Sequence, residues 1–322
     1  MPWISERGAY GLPPEWKIWD LCDDIISSYQ RDDVLIIPAD KLVHGGDISR
    51  VKKTILEFLN ANELHKIVLY AFVDPHKMDL TWFLENHISL ERIFILPPEQ
   101  SVWEFYMSSH AKEYEFVNPA VDFTYEFLCY QRKPNHYRPA IYELLKGLPG
   151  IVTIGDYSFD FNNIQSVFDG EDVMHNIAAD QIENPSQIPK VTCDTGSLGN
   201  PDIWNKSFLC LVSETMSCPT SAFLSEKTFK PIMGFRPFVV IGGDQHLYDH
   251  LASLGYYTFE QDFPIFDGNV EPHVLSVVDY ISSMDKTQYY LDNIEKLQHN
   301  HDNLCNADER ILKQFKEFIE SV

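Results

Sequence analysis

The chain has 322 residues, 44% of them hydrophobic and 13% aromatic, enough for one large core or two ordinary ones, and its charged fraction of 23% excludes a disordered polar chain. A formal net charge of −23 excludes a surface given over wholly to nucleic-acid phosphates, which lysine and arginine must neutralise, while leaving room for a local basic cleft. The opening MPWISERGAYGLPP lacks the basic and apolar regions of a secretory leader, and no apolar run approaches the ~18 residues of a membrane span, so a soluble, unsecreted, cytoplasmic protein is expected.

Strands and helices alternate along most of the chain, the pattern of parallel sheets wrapped by helices. The run VLII at Val34–Ile37 reads as a strand before the helical pattern ISRVKKTILEFLNAN. KIVLYAF at Lys66–Phe72 and RIFIL at Arg92–Leu96 read as two further strands, completing a small Rossmann-like unit. A second series starts with FLCY at Phe127–Tyr130, followed by the helix RPAIYELLKG, ended by Gly147, and the strand GIVTI. Acidic residues crowd an irregular stretch between Asp156 and Asp202, which reads as a solvated face, since no EF-hand spacing occurs there.

SFLCLVSE at Ser207–Glu214 is the next predicted strand, followed by a short helix headed by Glu226 and Lys227 and stopped by Pro231 and Gly234. The strand PFVVIG, the helix HLYDHLASLG and a last strand YYTF complete the series. From His273 to Val322 apolar residues recur at spacings of three and four, which predicts a helical tail. The fold class is therefore α/β, two Rossmann-like domains with a helical C-terminal tail, divided as residues 1–122 and 123–322. Six cysteines (Cys22, Cys129, Cys193, Cys210, Cys218 and Cys305) form no C-x-x-C pair, so reduced thiols and no structural zinc are expected.

Ligands of open parallel sheets bind beyond the carboxyl ends of strands, which directs attention to three places. After FLCY come Arg132, Lys133, His136 and Arg138, basic residues that precede or open a helix whose free amides add positive potential. Without a ligand they are an ordinary basic turn. After SFLCLVS stand Glu214 and Thr215, which alone are no more than a cap or a surface pair. Ser225 is a credible N-cap, placing Lys227 in a first helical turn where its charge opposes the helix dipole unless an anion offsets it. Glu226 beside it is suited to the vicinal hydroxyls of a ribose.

Taken together, FLCYQRKPNHYR, SFLCLVSET, FLSEKTFKPIMGFRPFVVIGG and LGYYTFEQDF resemble the nucleotide-sugar-binding half of GT-B glycosyltransferases. The match is to the fucosyltransferase-like and exostosin-like group and to enzymes of phages and large viruses, and it covers roughly Phe127 to Phe263. It implies that Lys227 neutralises the donor diphosphate, that Glu226 holds the ribose, that Arg132 or preferably Arg138 contacts phosphate, and that Glu214 faces the donor. It also implies a donor lying between two halves, a nucleotide-diphosphate sugar as donor substrate in place of a cofactor, and a cytoplasmic site of action, the host cytoplasm for a viral enzyme. No pair of glutamates eight positions apart occurs at this site, so retention or inversion stays open.

Fixed cations suit this chemistry, because negative charge grows on the departing diphosphate as the sugar gains oxocarbenium character. No Asp-x-Asp occurs in the chain, which favours a metal-independent mechanism and no metal site. An inverting enzyme also needs a base near the acceptor hydroxyl, and the first half offers Asp40, His44, Asp47, Asp74 and His76 near strand ends. Asp47, Asp74 and His44 are the candidates for catalysis, although Asp47 serves equally as a helix cap. His299, His301 and Asp302 form a polar cluster read as lying in an inter-helix loop and as a poor metal site. The expected acceptor is a glycan or other hydroxyl. A hydroxymethylated pyrimidine of viral DNA is the alternative acceptor, and a non-catalytic nucleotide-sugar-binding or lectin-like module is the alternative to an enzyme.

Overall fold

The structure is a computed structural model that describes residues 32–38, 48–70, 81–95, 102–114, 122–131, 137–154, 198, 201–214 and 224–322. The chain divides into two compact units, Met1–Val102 with Asp308–Val322, and Trp103–Ala307.

In the first unit β1 (Val34–Pro38), α1 (Ile48–Ala61), β2 (Lys66–Tyr70), α2 (Thr81–Glu85) and β3 (Ile93–Ile95) build a parallel sheet in the order β1-β2-β3. Side chains alternate across such a sheet, and both faces must be covered. Leu35, Ile37, Ile67 and Leu69 therefore share one core with Val51, Ile55 and Leu59 of α1 and with Phe83 and Ile88. Val34, Ile36 and Val68 point the other way and pack on Phe315, Ile319 and Val322. The helix Ala307–Ser321 that carries Phe315 and Ile319 was expected with the second half; the apolar face of the first sheet claims it instead.

The second unit holds α3 (Val102–Ala111), β4 (Tyr125–Gln131), α4 (Arg138–Leu145), β5 (Ile151–Ile154), α5 (Pro201–Lys206), β6 (Ser207–Val212), α6 (Glu226–Met233) and β7 (Phe238–Val240). It continues with α7 (Gln245–Ser253), α8 (Val270–Ser283), α9 (Lys286–Asp292) and α10 (Ile294–Cys305). Its strands run parallel in the order β5-β4-β6-β7. Every residue of β6 is buried, as a strand covered on both faces requires. Helix α8 packs on α4 and β4, while α10 packs on α6.

Two local expectations give way. Pro231 lies inside α6 and costs it one backbone bond without ending it; the helix runs on to Met233 and is closed at Gly234. The run YYTF is not a strand; α10 takes up both backbone groups of Tyr257 and grips the turn that leads into the run. The Asn300 side chain accepts from Tyr257 N at 2.7 Å and donates to Tyr257 O at 2.8 Å, Asn303 donates to Leu254 O at 3.0 Å, and His299 Nε2 meets Gly255 O at 3.0 Å.

The link from α6 to β7 is held just as firmly. Phe235 adopts a left-handed φ of 52°, with its ring stacked on His301 at 4.2 Å and its carbonyl accepting from Tyr290 Oη at 2.9 Å. Arg236, buried at the amino edge of the sheet, donates to Trp204 O at 2.7 Å and lies over the rings of Tyr290 and Phe123. A Cβ on Gly234 would come within 2.6 Å of the Trp204 ring, which is itself fixed by a bond from Nε1 to Leu198 O at 2.8 Å. Gly234→Ala should therefore cost ~1–3 kcal/mol in urea unfolding through overpacking. Ile265→Ala, at a position 82% exposed, should stay within ~0.5 kcal/mol.

Candidate functional site

The order β5-β4-β6-β7 sends the chain from β4 toward one edge of the sheet and from β6 toward the other. Right-handed crossovers then place α4 and α6 on opposite faces, opening a crevice beyond the carboxyl ends of β4 and β6, the switch point at which open α/β sheets bind ligands. Gln131 ends β4 there, and Ser213 and Glu214 follow β6.

Ser213 receives Arg138, the first residue of α4. The buried guanidinium donates from Nε to Ser213 Oγ at 3.1 Å and from Nη2 to Ser213 O at 2.7 Å. Tyr137 Oη donates to the carbonyl of Glu214 at 3.3 Å. The Glu214 carboxylate faces the start of α6, where Oε1 accepts from Ser225 N at 3.0 Å and from Thr228 Oγ1 at 2.5 Å, and Oε2 accepts from Ser225 Oγ at 2.5 Å. A negative group at this end suits both the unsatisfied amides and the helix dipole.

Ser225 caps α6 as its residue type predicts, in an extended conformation with Oγ accepting from Lys227 N at 3.3 Å. Lys227 folds back on the same turn, and its Nζ lies 2.7 Å from Glu226 Oε1 and 3.1 Å from Ser225 Oγ. Burial alone would raise the Glu226 pKa, but the Lys227 ammonium, its hydrogen bond and the more distant Lys230 charge outweigh it and hold the carboxyl at about 2. The head of α6 thus presents a permanent carboxylate and an ammonium side by side, chemistry suited to a ligand carrying both hydroxyls and an anion.

Of the residues singled out from sequence, Arg138, Glu214, Glu226 and Lys227 come together through Ser213 and Ser225. Glu214 has its oxygens engaged by the α6 cap, so within the described residues it acts on the site by fixing that helix. Arg132, Lys133, His136 and Thr215 lie outside the described residues, as do Asp40, His44, Asp47, Asp74 and His76. The His299, His301 and Asp302 cluster sits within α10 instead of a loop, and His301 Nε2 meets Ala111 O at 3.1 Å. No group of three potential metal ligands gathers among the described residues.

Sequence reasoning missed Tyr137, Ser213, Thr228 and Gln131. Thr228 was within reach, since it stands three residues after the cap Ser225 and so shares its helical face; nothing in the sequence marks the other three beyond their place near strand ends. The chain matches no family model, no curated protein and no solved structure.

The depressed Glu226 pKa has a definite sign. A carboxyl held near 2, below its ordinary 4.5, adds stability that is complete above pH 4.5 and lost as the pH falls toward 2. Glu226→Gln should cost about 3 kcal/mol at neutral pH, with the difference from wild type shrinking between pH 4.5 and 2 in denaturant titrations.

Proposed function

We propose that the protein is a GT-B glycosyltransferase whose second unit binds a nucleotide-diphosphate sugar at this switch point and whose product is a glycosylated hydroxyl acceptor. The observation that carries the reading is the juxtaposition of Lys227 with the ionised Glu226 at the head of a buried helix, which is joined through Ser225 and Glu214 to Ser213 and so to the Arg138 guanidinium. The ammonium and guanidinium are suited to the diphosphate, and the carboxylate to two hydroxyls of the ribose.

In this role the cations act on the departing group. As the glycosidic bond to the diphosphate breaks, charge collects on the β-phosphate oxygens, and a fixed ammonium stabilises that charge more than it stabilises the bound donor. The proton leaving the acceptor hydroxyl goes to a general base, for which the sequence offers Asp47, Asp74 and His44 as candidates.

Lys227→Ala should weaken donor binding by ~1.5–3 kcal/mol, roughly 10- to 150-fold in Kd, in calorimetry with a panel of nucleotide-diphosphate sugars. An unchanged affinity for every donor that binds wild type rules out the assignment. Because the chain has no Asp-x-Asp, transfer should persist in excess chelator, and a strict requirement for manganese or magnesium would count against the GT-B reading.

A further inference from the structure

Gln131 is the last residue of β4, and the β4–β6 register that pairs Leu128 with Cys210 sets it level with Ser213 at the switch point. Its side chain lies on the same face of the strand as Cys129, with Nε2 making a weak contact to Cys129 Sγ at 3.6 Å. Ser213, level with Gln131 on the neighbouring strand, is the residue that accepts the Arg138 guanidinium. Burial pushes the Cys129 thiol up to about 12, which keeps it a neutral and feeble partner.

Gln131 is only 2% exposed, yet among the described residues its Oε1 has no hydrogen-bond partner. Buried polar atoms are almost always paired, and a solitary amide group inside a core is a net cost that an apolar side chain of the same length would avoid. A leucine or methionine would suit β4, whose neighbours Phe127, Leu128 and Cys129 are fully buried. The position of the unmatched group, at the carboxyl end of an inner strand and level with the Ser213 that holds Arg138, supplies the reason for keeping it.

We propose that the Gln131 side-chain amide is a ligand contact that hydrogen-bonds a hydroxyl of the bound nucleotide sugar. A hydroxyl fits because it donates to Oε1 or accepts from Nε2 and so pairs with either orientation of the amide. The inference rests on the donor reading given above and extends it to a residue of β4 that no charge or motif marks.

The test replaces the amide with a side chain of equal length, Gln131→Met, with Gln131→Leu as a second variant should the first not fold. Thermal unfolding is followed without ligand, and binding of UDP-glucose, GDP-mannose, GDP-fucose and ADP-glucose is measured by calorimetry. Removing an unmatched buried amide should leave the midpoint of the free protein unchanged or raise it by ~1–3 °C, while the affinity for the donor that binds wild type falls roughly 5- to 10-fold. A lowered midpoint makes the amide part of the fold and overturns the proposal, as does an affinity equal to wild type. If wild type binds a donor and the variant binds it equally, this inference fails and the donor reading stands. If wild type binds none of the four, both fall together.

Discussion

The Glu214 carboxylate is the interaction on which the site depends. It leaves the end of β6 and takes three hydrogen bonds from the beginning of α6, two from Ser225 and one from Thr228, in surroundings almost closed to solvent. With one donor removed, a buried charge would be left partly unpaired, which is costly in a way that losing an exposed contact is not. On the residue before it, Ser213 accepts the Arg138 guanidinium twice. Two consecutive residues of one strand end therefore hold the heads of two helices that right-handed crossovers place on opposite faces of the sheet. The positions of Lys227 and Glu226 follow from that anchorage.

Lysine in a first helical turn is electrostatically unfavourable by itself, and the structure shows how the free protein accommodates it. The ammonium turns toward Glu226 and the cap hydroxyl in place of solvent. An anion arriving here would compete with a carboxylate already in place, and the loss would be offset if the ligand also offered Glu226 hydroxyl donors. A pair of this kind discriminates among ligands through the partner it must give up, because a bare anion would strand the carboxylate.

The sequence made the sheets legible because their physics is local. Alternation across β1 assigns Leu35 and Ile37 to one face and Val34 and Ile36 to the other, and both faces are indeed packed. The cap Ser225 and the first-turn residues Glu226 and Lys227 were equally readable, since capping involves neighbours two or three residues apart. What resisted reading depends on distant partners. The apolar stripe of Phe315 and Ile319 announces a buried helix face but not which sheet it covers. YYTF has the composition of a strand, and Asn300, forty-three residues after Tyr257 in sequence, takes up that residue's backbone groups. Gln131 carries no sequence signal, because an amide oxygen left unmatched among the described residues is a feature of the folded chain that composition cannot show.

The C-terminal helix imposes an order on synthesis. Phe315, Ile319 and Val322 cover a face of the first sheet, yet the whole of Trp103–Ala307 lies between them and β3 in the chain. At translation rates of ~5–20 residues per second, those roughly 200 residues take on the order of 10–40 s to emerge from a ribosome. Throughout that interval Val34, Ile36 and Val68 form an apolar surface without its native cover, while the second unit has all of its own core available first. The sheet of the first unit thus waits for a cover encoded some 200 residues further along the chain, and it is complete only once Ala307–Ser321 has been made.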